Sequence, residues 1–295
     1  MRDAFVRVLA EEMERNDRIV LITGDLGFGV LRPLWERFPD RMVNAGIAEQ
    51  GMVSMAAGLA ATGRTVIVYS IGNFPTLRPL EQIRNDCAYH HADVKIICVG
   101  GGFVYGSLGM SHHATEDMSV MRAIPDICCF TPGDPAETEA VTPLLSQPRT
   151  DKTVAFFYIT TTGTVNVRKS ADYVPKMIEM AGGTYAFDDL SSGSALSTVN
   201  MTMESFYSGA KNADVLIYNS TIDGELYTVE DLLQKSALLK DFKAVQSGDV
   251  WCTGKNLFQE PMGVGKLILD IHRVLTDPEA PAELTYLHKL TGGAK

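Results

Sequence analysis

Basic runs are missing from this chain. Its 26 Lys and Arg stand against 36 Asp and Glu, a net charge of -10 over 295 residues. With no cluster of cations on offer, a nucleic-acid face is excluded as a reading. Long apolar runs are missing as well, since no segment approaches the roughly 18 consecutive apolar residues of a membrane span. The opening MRDAFVRVLAEEMERNDR is amphipathic with charges throughout, which no signal peptide is, so the expected compartment is the cytoplasm. Cysteine is scarce: five residues, at 87, 98, 128, 129 and 252, with no CxxC spacing. That spacing favours reduced thiols, expected in the core at 98, 128 and 129, over a metal or disulfide framework. Internal repeats and low-complexity linkers are absent too. What is present is 45% apolar residues in a chain long enough for two cores.

Lysine is almost missing from one half. Residues 1–150 hold twelve Arg and one Lys (Lys95), whereas residues 151–295 hold two Arg and eleven Lys, with 18 acidic residues in each part. Arg and Lys are nearly equivalent on solvated faces, so the switch points to two sequence origins rather than two physical demands. It places a seam at SQPRTDKT and predicts domains at 1–149 and 150–295.

The first half alternates helix and strand patterns. A helix over 2–16 leads into IVLITG (19–24), a small-residue helix over 47–62 into TVIVYS (65–70), and a helix over 76–90 into VKIICVG (94–100). ICCF (127–130) reads as a further strand, and PGDP (132–135) opens a helix. Short apolar runs without polar alternation are strands covered on both faces, so the expected fold is α/β, a doubly wound, mostly parallel sheet with its ligand at the carboxyl ends of the strands. The second half repeats the class: a strand over 153–159, a polar loop TTTGTVNVR, a helix over 169–181 stopped by Gly182-Gly183, a helix over 200–210, a strand DVLIYNS, a helix TVEDLLQKS capped by Thr228, two short strands in KAVQSGDVWCTG and a helix over 262–276.

One charge stands out. NAGIAEQ (44–50) sets Glu49 at the head of a run of Gly, Ala, Ser and Met, where a carboxylate is costly to desolvate without a partner or a task. NAGIAEQ, with MRDAF, TGDLG (23–27), YSIGNFPTLRPLEQIRND, GGGFVYGSLGMSHHATED, MRAIPD and FTPGDPAE, resembles the pyrimidine-binding domain of the transketolase family of thiamine diphosphate enzymes over residues 1–147. The opening at MRDAF resembles the C-terminal subunit of a split transketolase. The resemblance implies that Glu49 hydrogen-bonds the ring nitrogen of the cofactor's aminopyrimidine and that Phe74 stacks on that ring. It also implies that His112, in the place of the family's GxTH histidine, faces cofactor and substrate. Asp25, a loop acid after a strand, is a candidate for the cofactor's edge. His113, Glu116 and Asp117 next to His112 do not make a convincing metal site, since neighbours in a loop rarely reach one ion together. The glycines of TGDLGFGV and GGGFVYGSLG match neither GxGxxG nor a P-loop. No GDG followed by Asn is present, so magnesium and the diphosphate would come through a separate transketolase N-terminal subunit or a like domain, acting on sugar phosphates in an oligomer.

The segments VAFFYITTTGTVNVRKSADYVPKMIEMAGG, FYSGAKNADVLIYNSTIDGELYTVEDLL and FKAVQSGDVWCTGKNLFQEPMGVGKLILDIHRVL resemble, over 152–278, the C-terminal lobe of iron-siderophore and cobalamin substrate-binding proteins of ABC importers. This second fold is expected to be a Rossmann-like lobe of the periplasmic binding protein class. Ligand-facing candidates at strand ends and loops are Tyr158, Thr161, Arg168, Asn219, Trp251 and Lys255. Three readings follow: a transketolase-type enzyme subunit moving a two-carbon ketol unit, a binding lobe, or a junction of two unrelated genes with neither activity alone.

Overall fold

The structure, a computed structural model, describes residues 1–147, 150–190, 197–255, 257 and 263–292. The chain divides into two compact units, Met1–Ser146 and Gln147–Lys295.

In the first unit the buried apolar runs become β1 (Ile19–Thr23), β2 (Met42–Asn44), β3 (Thr65–Ile71) and β4 (Val94–Val99), all parallel, in the order β2-β1-β3-β4. Helices α1 (Arg2–Arg15) and α2 (Arg32–Arg37) supply Phe5, Leu9, Met13 and Leu34 to one face of this sheet, where they meet Ile19, Leu21, Ile67 and Tyr69. On the other face α3 (Glu49–Ala61) sends Met52, Val53 and Ala56 against Val20, Ile22, Val66 and Val68. The alternation of Val66 and Val68 with Ile67 and Tyr69 between two cores is the period of 2 of a strand buried on both faces. The sheet is therefore doubly wound.

Three local features differ from the sequence expectation. The expected helix over 76–90 is broken into α4 (Phe74–Leu77), α5 (Leu80–Gln82) and a π turn at Ile83–Ala88. Pro79, which has no N–H to donate, sits at the break. ICCF forms no strand: Ile127 and Cys129 pack on the core outside any strand, so β4 is the edge among the described residues. Cys98 and Cys128 are in consequence exposed and Cys129 half-buried, not core thiols, while Cys87 and Cys252 are buried; none of the five is in a disulfide. After α6 (Asp117–Met121), Asp134 caps α7 (Pro135–Val141), its side chain accepting from Glu137 N at 2.8 Å.

The second unit is a mixed sheet built on β5 (Thr153–Ile159). Its companions are β6 (Val165–Arg168), β7 (Thr184–Tyr185), β8 (Thr198–Met201), β9 (Val215–Tyr218), β10 (Val250–Thr253) and β11 (Leu287–Lys289). The order is β11-β10-β9-β5-β6-β8 with β7 also on β5. The expected polar loop at 160–168 is instead a hairpin. Gly163 takes a φ of +82°, Thr164 N bonds back to Thr160, and β6 runs antiparallel to β5. Helices α8 (Tyr173–Met180), α9 (Met203–Ala210), α10 (Val229–Lys235), α11 (Lys243–Ser247) and α12 (Val264–Thr276) complete it. α11 replaces the first of the two strands expected around Ser247-Gly248, because Gly248, at φ +78°, is a left-handed helix stop. Thr228 caps α10 in a reciprocal box with Asp231, so Thr228→Ala should lose about 1 kcal/mol in urea unfolding.

Asp270 on α12 is 1% exposed and accepts Tyr286 N at 2.7 Å, tying the helix to the chain entering β11. Burial raises its pKa above the ordinary carboxyl value against the pull of the backbone N–H donors. The folded value then exceeds the unfolded one of about 3.9, so this contribution to stability is complete below that pH and is lost as pH rises through the folded value. In urea unfolding the stability of the native chain relative to Asp270→Asn should therefore fall as pH rises over that window.

Candidate functional site

Connections from β1 run to one side of the first sheet, through β2, and those to β3 and β4 run to the other, so the strand order reverses between β1 and β3. Such a reversal opens a crevice beyond the strands' carboxyl ends. Asp25 follows β1, Glu49 follows β2, and Phe74 follows β3. Three of the four residues singled out in this half thus reach one rim by topology alone.

Glu49 opens α3 and is 4% exposed. Its Oε1 accepts from Arg78 Nη1 at 2.8 Å, and the Arg78 guanidinium carbon lies 3.8 Å from the centre of the Phe74 ring. The His112 ring meets Phe74 edge-on, with centroids 4.9 Å apart. Glu49, Arg78, Phe74 and His112 therefore form one connected group, with a flat cation lying on an aromatic face. Three buried polar atoms at the end of β3 and on the segment after it have no hydrogen-bond partner: Ser70 Oγ, Asn73 Oδ1 and Gln82 Oε1. Orphaned polar atoms of this kind are costly unless a ligand or water completes them.

The loop carrying His112 is pinned from several sides. Gly102 and Ala114 exchange backbone hydrogen bonds at 2.8 and 2.9 Å, Asn73 Nδ2 donates to Ser111 O at 2.8 Å, and Ser111 Oγ lies 3.0 Å from His112 Nδ1. A Cβ at Gly72 would sit 2.5 Å from that of Ala114, so glycine permits the close approach of loop and strand end. The adjacent His113 has different neighbours, Phe103 edge-on at 4.8 Å and Gly106 O at 3.4 Å. Among the described residues no group of three or more His, Cys, Asp or Glu is placed to hold a metal.

Asp25 stands apart from this group. It adopts φ +58°, its N–H donates to Asn44 Oδ1 at 3.0 Å, and its Oδ1 accepts from Asn44 Nδ2 at 2.9 Å. Asn44 Oδ1 also accepts from Gly46 N at 3.0 Å. Asn44, the first letter of NAGIAEQ, thus staples the loop after β1 to the turn that aims α3. Sequence reading passes over Asn44 and Arg78; the first is legible as an Asx-type turn former, the second only as a neighbour of Phe74 on one helical turn.

In the second unit the strand registers put Phe156, Tyr158, Asn166, Arg168 and Asn219 on one face, lining a shallow depression. Tyr158, Arg168 and Asn219 are thereby brought together. Tyr185 fixes the strand end here, its hydroxyl donating to Arg168 O and accepting from Arg168 N, both at 3.0 Å, and burial pushes its pKa far up. Arg168 pairs with Asp172 at 3.6 Å. Thr161 is exposed in the hairpin turn and Lys255 exposed after β10, its N–H donating to Glu225 Oε1 at 2.8 Å. Trp251 does not lie at a loop tip: it is 2% exposed inside β10, with Lys289 Nζ 5.7 Å from its ring centre.

The first unit is thus a doubly wound parallel α/β sheet with an acid, an aromatic ring and a histidine gathered at its switch point, the place where this class of sheet binds ligands. Residues 1–161 match the family described as transketolase, pyrimidine binding domain, and the chain belongs to it. The match runs past the compositional seam and through β5. Among curated proteins, the chain is 37% identical over 145 residues to an apulose-4-phosphate transketolase chain of Phocaeicola vulgatus, covering 49% of this chain and 46% of that protein. It is 33% identical over 144 residues to the 6-deoxy-6-sulfo-D-fructose transketolase subunit SqwH of Clostridium sp., covering 48% and 45%. It is 36% identical over 137 residues to a 1-deoxy-D-xylulose-5-phosphate synthase of Anaeromyxobacter sp., covering 46% and 21%. The chain thus matches less than half the length of each of these relatives. Among solved structures, a split-gene transketolase described as an inactive beta4 tetramer superposes with a TM-score of 0.44 at 22% identity, covering 93% of this chain and 97% of that one. The periplasmic heme binding protein HutB of Vibrio cholerae does so with a TM-score of 0.36 at 12% identity, covering 87% and 96%. Superpositions this loose carry no functional argument.

Proposed function

We propose that the first unit is the aminopyrimidine-holding half of a thiamine diphosphate-dependent, transketolase-type transferase, completed by a second polypeptide. The observation that carries this reading is the burial of Glu49 at the switch point beside Phe74 and His112. The residues fit the group: Phe74 and Glu49 together already hold a flat, delocalised nitrogen cation, and Ser70, Asn73 and Gln82 leave buried polar atoms unmet. When bound, thiamine diphosphate supplies a stabilised carbanion for transfer of a two-carbon ketol unit between sugar phosphates. Glu49, buried at the head of α3, would hydrogen-bond the ring nitrogen. Phe74 orients the ring by stacking. His112, edge-on to Phe74 and bonded to Ser111, presents its free nitrogen to the substrate side. The sequence carries no diphosphate-binding motif, so the diphosphate and its magnesium are assigned to the partner subunit.

Retention of cofactor tests this directly. The chain mixed with a transketolase diphosphate-binding subunit should carry thiamine diphosphate through gel filtration, and neither chain alone should do so. Equal retention by the partner alone would count against the proposal.

The second unit is proposed as a lobe for a bulky chelate, an iron siderophore or a corrinoid, joined to the first at a junction near residue 150. The gathering of Tyr158, Arg168 and Asn219 around one depression supports the lobe, and the reversal from Arg to Lys supports the junction. Ferric siderophore or cobalamin titrated into the chain should give saturable binding that Arg168→Ala weakens about tenfold, the scale of one lost charge-assisted contact. A flat titration in isothermal calorimetry would dispose of the lobe.

A further inference from the structure

The Arg78 guanidinium lies on the face of Phe74 and bonds the carboxylate of Glu49, the two groups assigned above to the flat ring. A heterocycle that takes the same face of Phe74 and the same oxygen of Glu49 has to displace the guanidinium. Glu49 is the one carboxylate paired with Arg78 among the described residues. The two ends of the pair also differ in surroundings: Glu49 is buried, whereas the Arg78 side chain is 42% exposed and has water to retreat into. Arg78 follows the short α4 and precedes Pro79, which closes that turn, so a change of its side-chain rotamers leaves the backbone hydrogen bonds of α4 intact.

We propose that Arg78 is a built-in placeholder for the aminopyrimidine, a positioning residue that keeps Glu49 paired and oriented until the ring displaces it. Loading is then an exchange of partners at Glu49 and Phe74, and not the filling of a vacant slot. An unpaired carboxylate in this position would be costly to keep dry; the guanidinium removes that cost while remaining mobile enough to leave. The same exchange sets a floor under selectivity. A ligand must match both the stacking surface and the hydrogen bond that it replaces, so flat nitrogen heterocycles with an exocyclic amine qualify and purely apolar rings do not. This inference rests on the aminopyrimidine reading given above.

The test uses the full chain and the isolated ring of the cofactor, 4-amino-5-hydroxymethyl-2-methylpyrimidine, with binding followed by ligand-detected NMR. A part-exposed ion pair and a cation on an aromatic face together set the competition, so Arg78→Met should bind the ring about 5-fold to 20-fold more tightly than the native chain. Added methylguanidinium should compete with the ring in Arg78→Met. Arg78→Lys, which keeps the charge but not the planar fork, should fall between the two. Binding to Arg78→Met that is equal to or weaker than native binding, or that methylguanidinium leaves unmoved, overturns the placeholder while leaving the ring site standing. Absence of ring binding to every variant, including the native chain, overturns the placeholder and the aminopyrimidine reading together.

Discussion

Glu49→Gln is expected to lower the turnover of the reconstituted transferase by about 10²-fold to 10⁴-fold, the range contributed by one positioned acid or base. The amide is the same size and can still accept from Arg78, so the group around Phe74 should keep its shape; it cannot give or take the proton. On the proposed reading Glu49 meets the cofactor ring and not the sugar, so KM for the sugar phosphates should change little. Stability offers the control. Arg78 is part-exposed, so replacing its charged partner by a neutral acceptor costs little and the melting temperature should move by no more than a few degrees. A collapse of activity with an unmoved melting temperature would separate proton transfer from folding; parallel losses would make Glu49 a structural residue.

Gly100→Ala is expected to be the most damaging small substitution in the first unit. Gly100 follows β4 at φ +77°, and a Cβ there would stand 2.1 Å from the Tyr105 ring. The left-handed backbone costs an L-residue about 1–2 kcal/mol, and forcing a methyl into a packed ring costs about 1–3 kcal/mol. Together these predict a loss of about 2–5 kcal/mol, read in urea unfolding, or a lifted loop with His112 drawn off Phe74. Tyr105→Ala in the same chain should restore much of the steric part and none of the backbone part. The two substitutions should therefore be markedly non-additive. Simple additivity would show that the clash is relieved elsewhere in the loop.

How much of this is legible in the sequence varies with the range of the interaction. The buried runs at 19–24, 65–70 and 94–100 give their strands away because a strand covered on both faces leaves an uninterrupted apolar signature. β2, at three residues, is too short for any periodic signal, yet it places Asn44 and hence the start of α3. ICCF carries the composition of a strand without becoming one, since pairing depends on a neighbouring edge that local sequence does not record. The hairpin at 160–168 and the helix at 243–247 escape for a related reason: Gly163 and Gly248 each fix a turn, and the glycine alone does not say what the turn joins. In the site, Glu49, Phe74 and His112 are legible as types in a motif. Their meeting is not, because it is set by the reversal of strand order between β1 and β3. Arg78 escapes altogether: an arginine in a charged segment has no local mark that tells a solvated cation from one lying on an aromatic ring. Trp251 shows the converse, an amphipathic residue whose place after a GD turn suggests a rim and which the sheet takes into its interior.

The measurement closest to the central claim is a titration of this chain into a fixed amount of a transketolase diphosphate-binding subunit, with thiamine diphosphate and magnesium present. The readout is transfer of a two-carbon unit from a ketose phosphate to an aldose phosphate. If the first unit supplies the aminopyrimidine half of the site, activity rises to saturation as the chain is added and fails to rise with Glu49→Gln. If Glu49→Gln restores transfer as well as the native chain does, or if the native chain binds the partner and yields no transfer, the account of this site is contradicted.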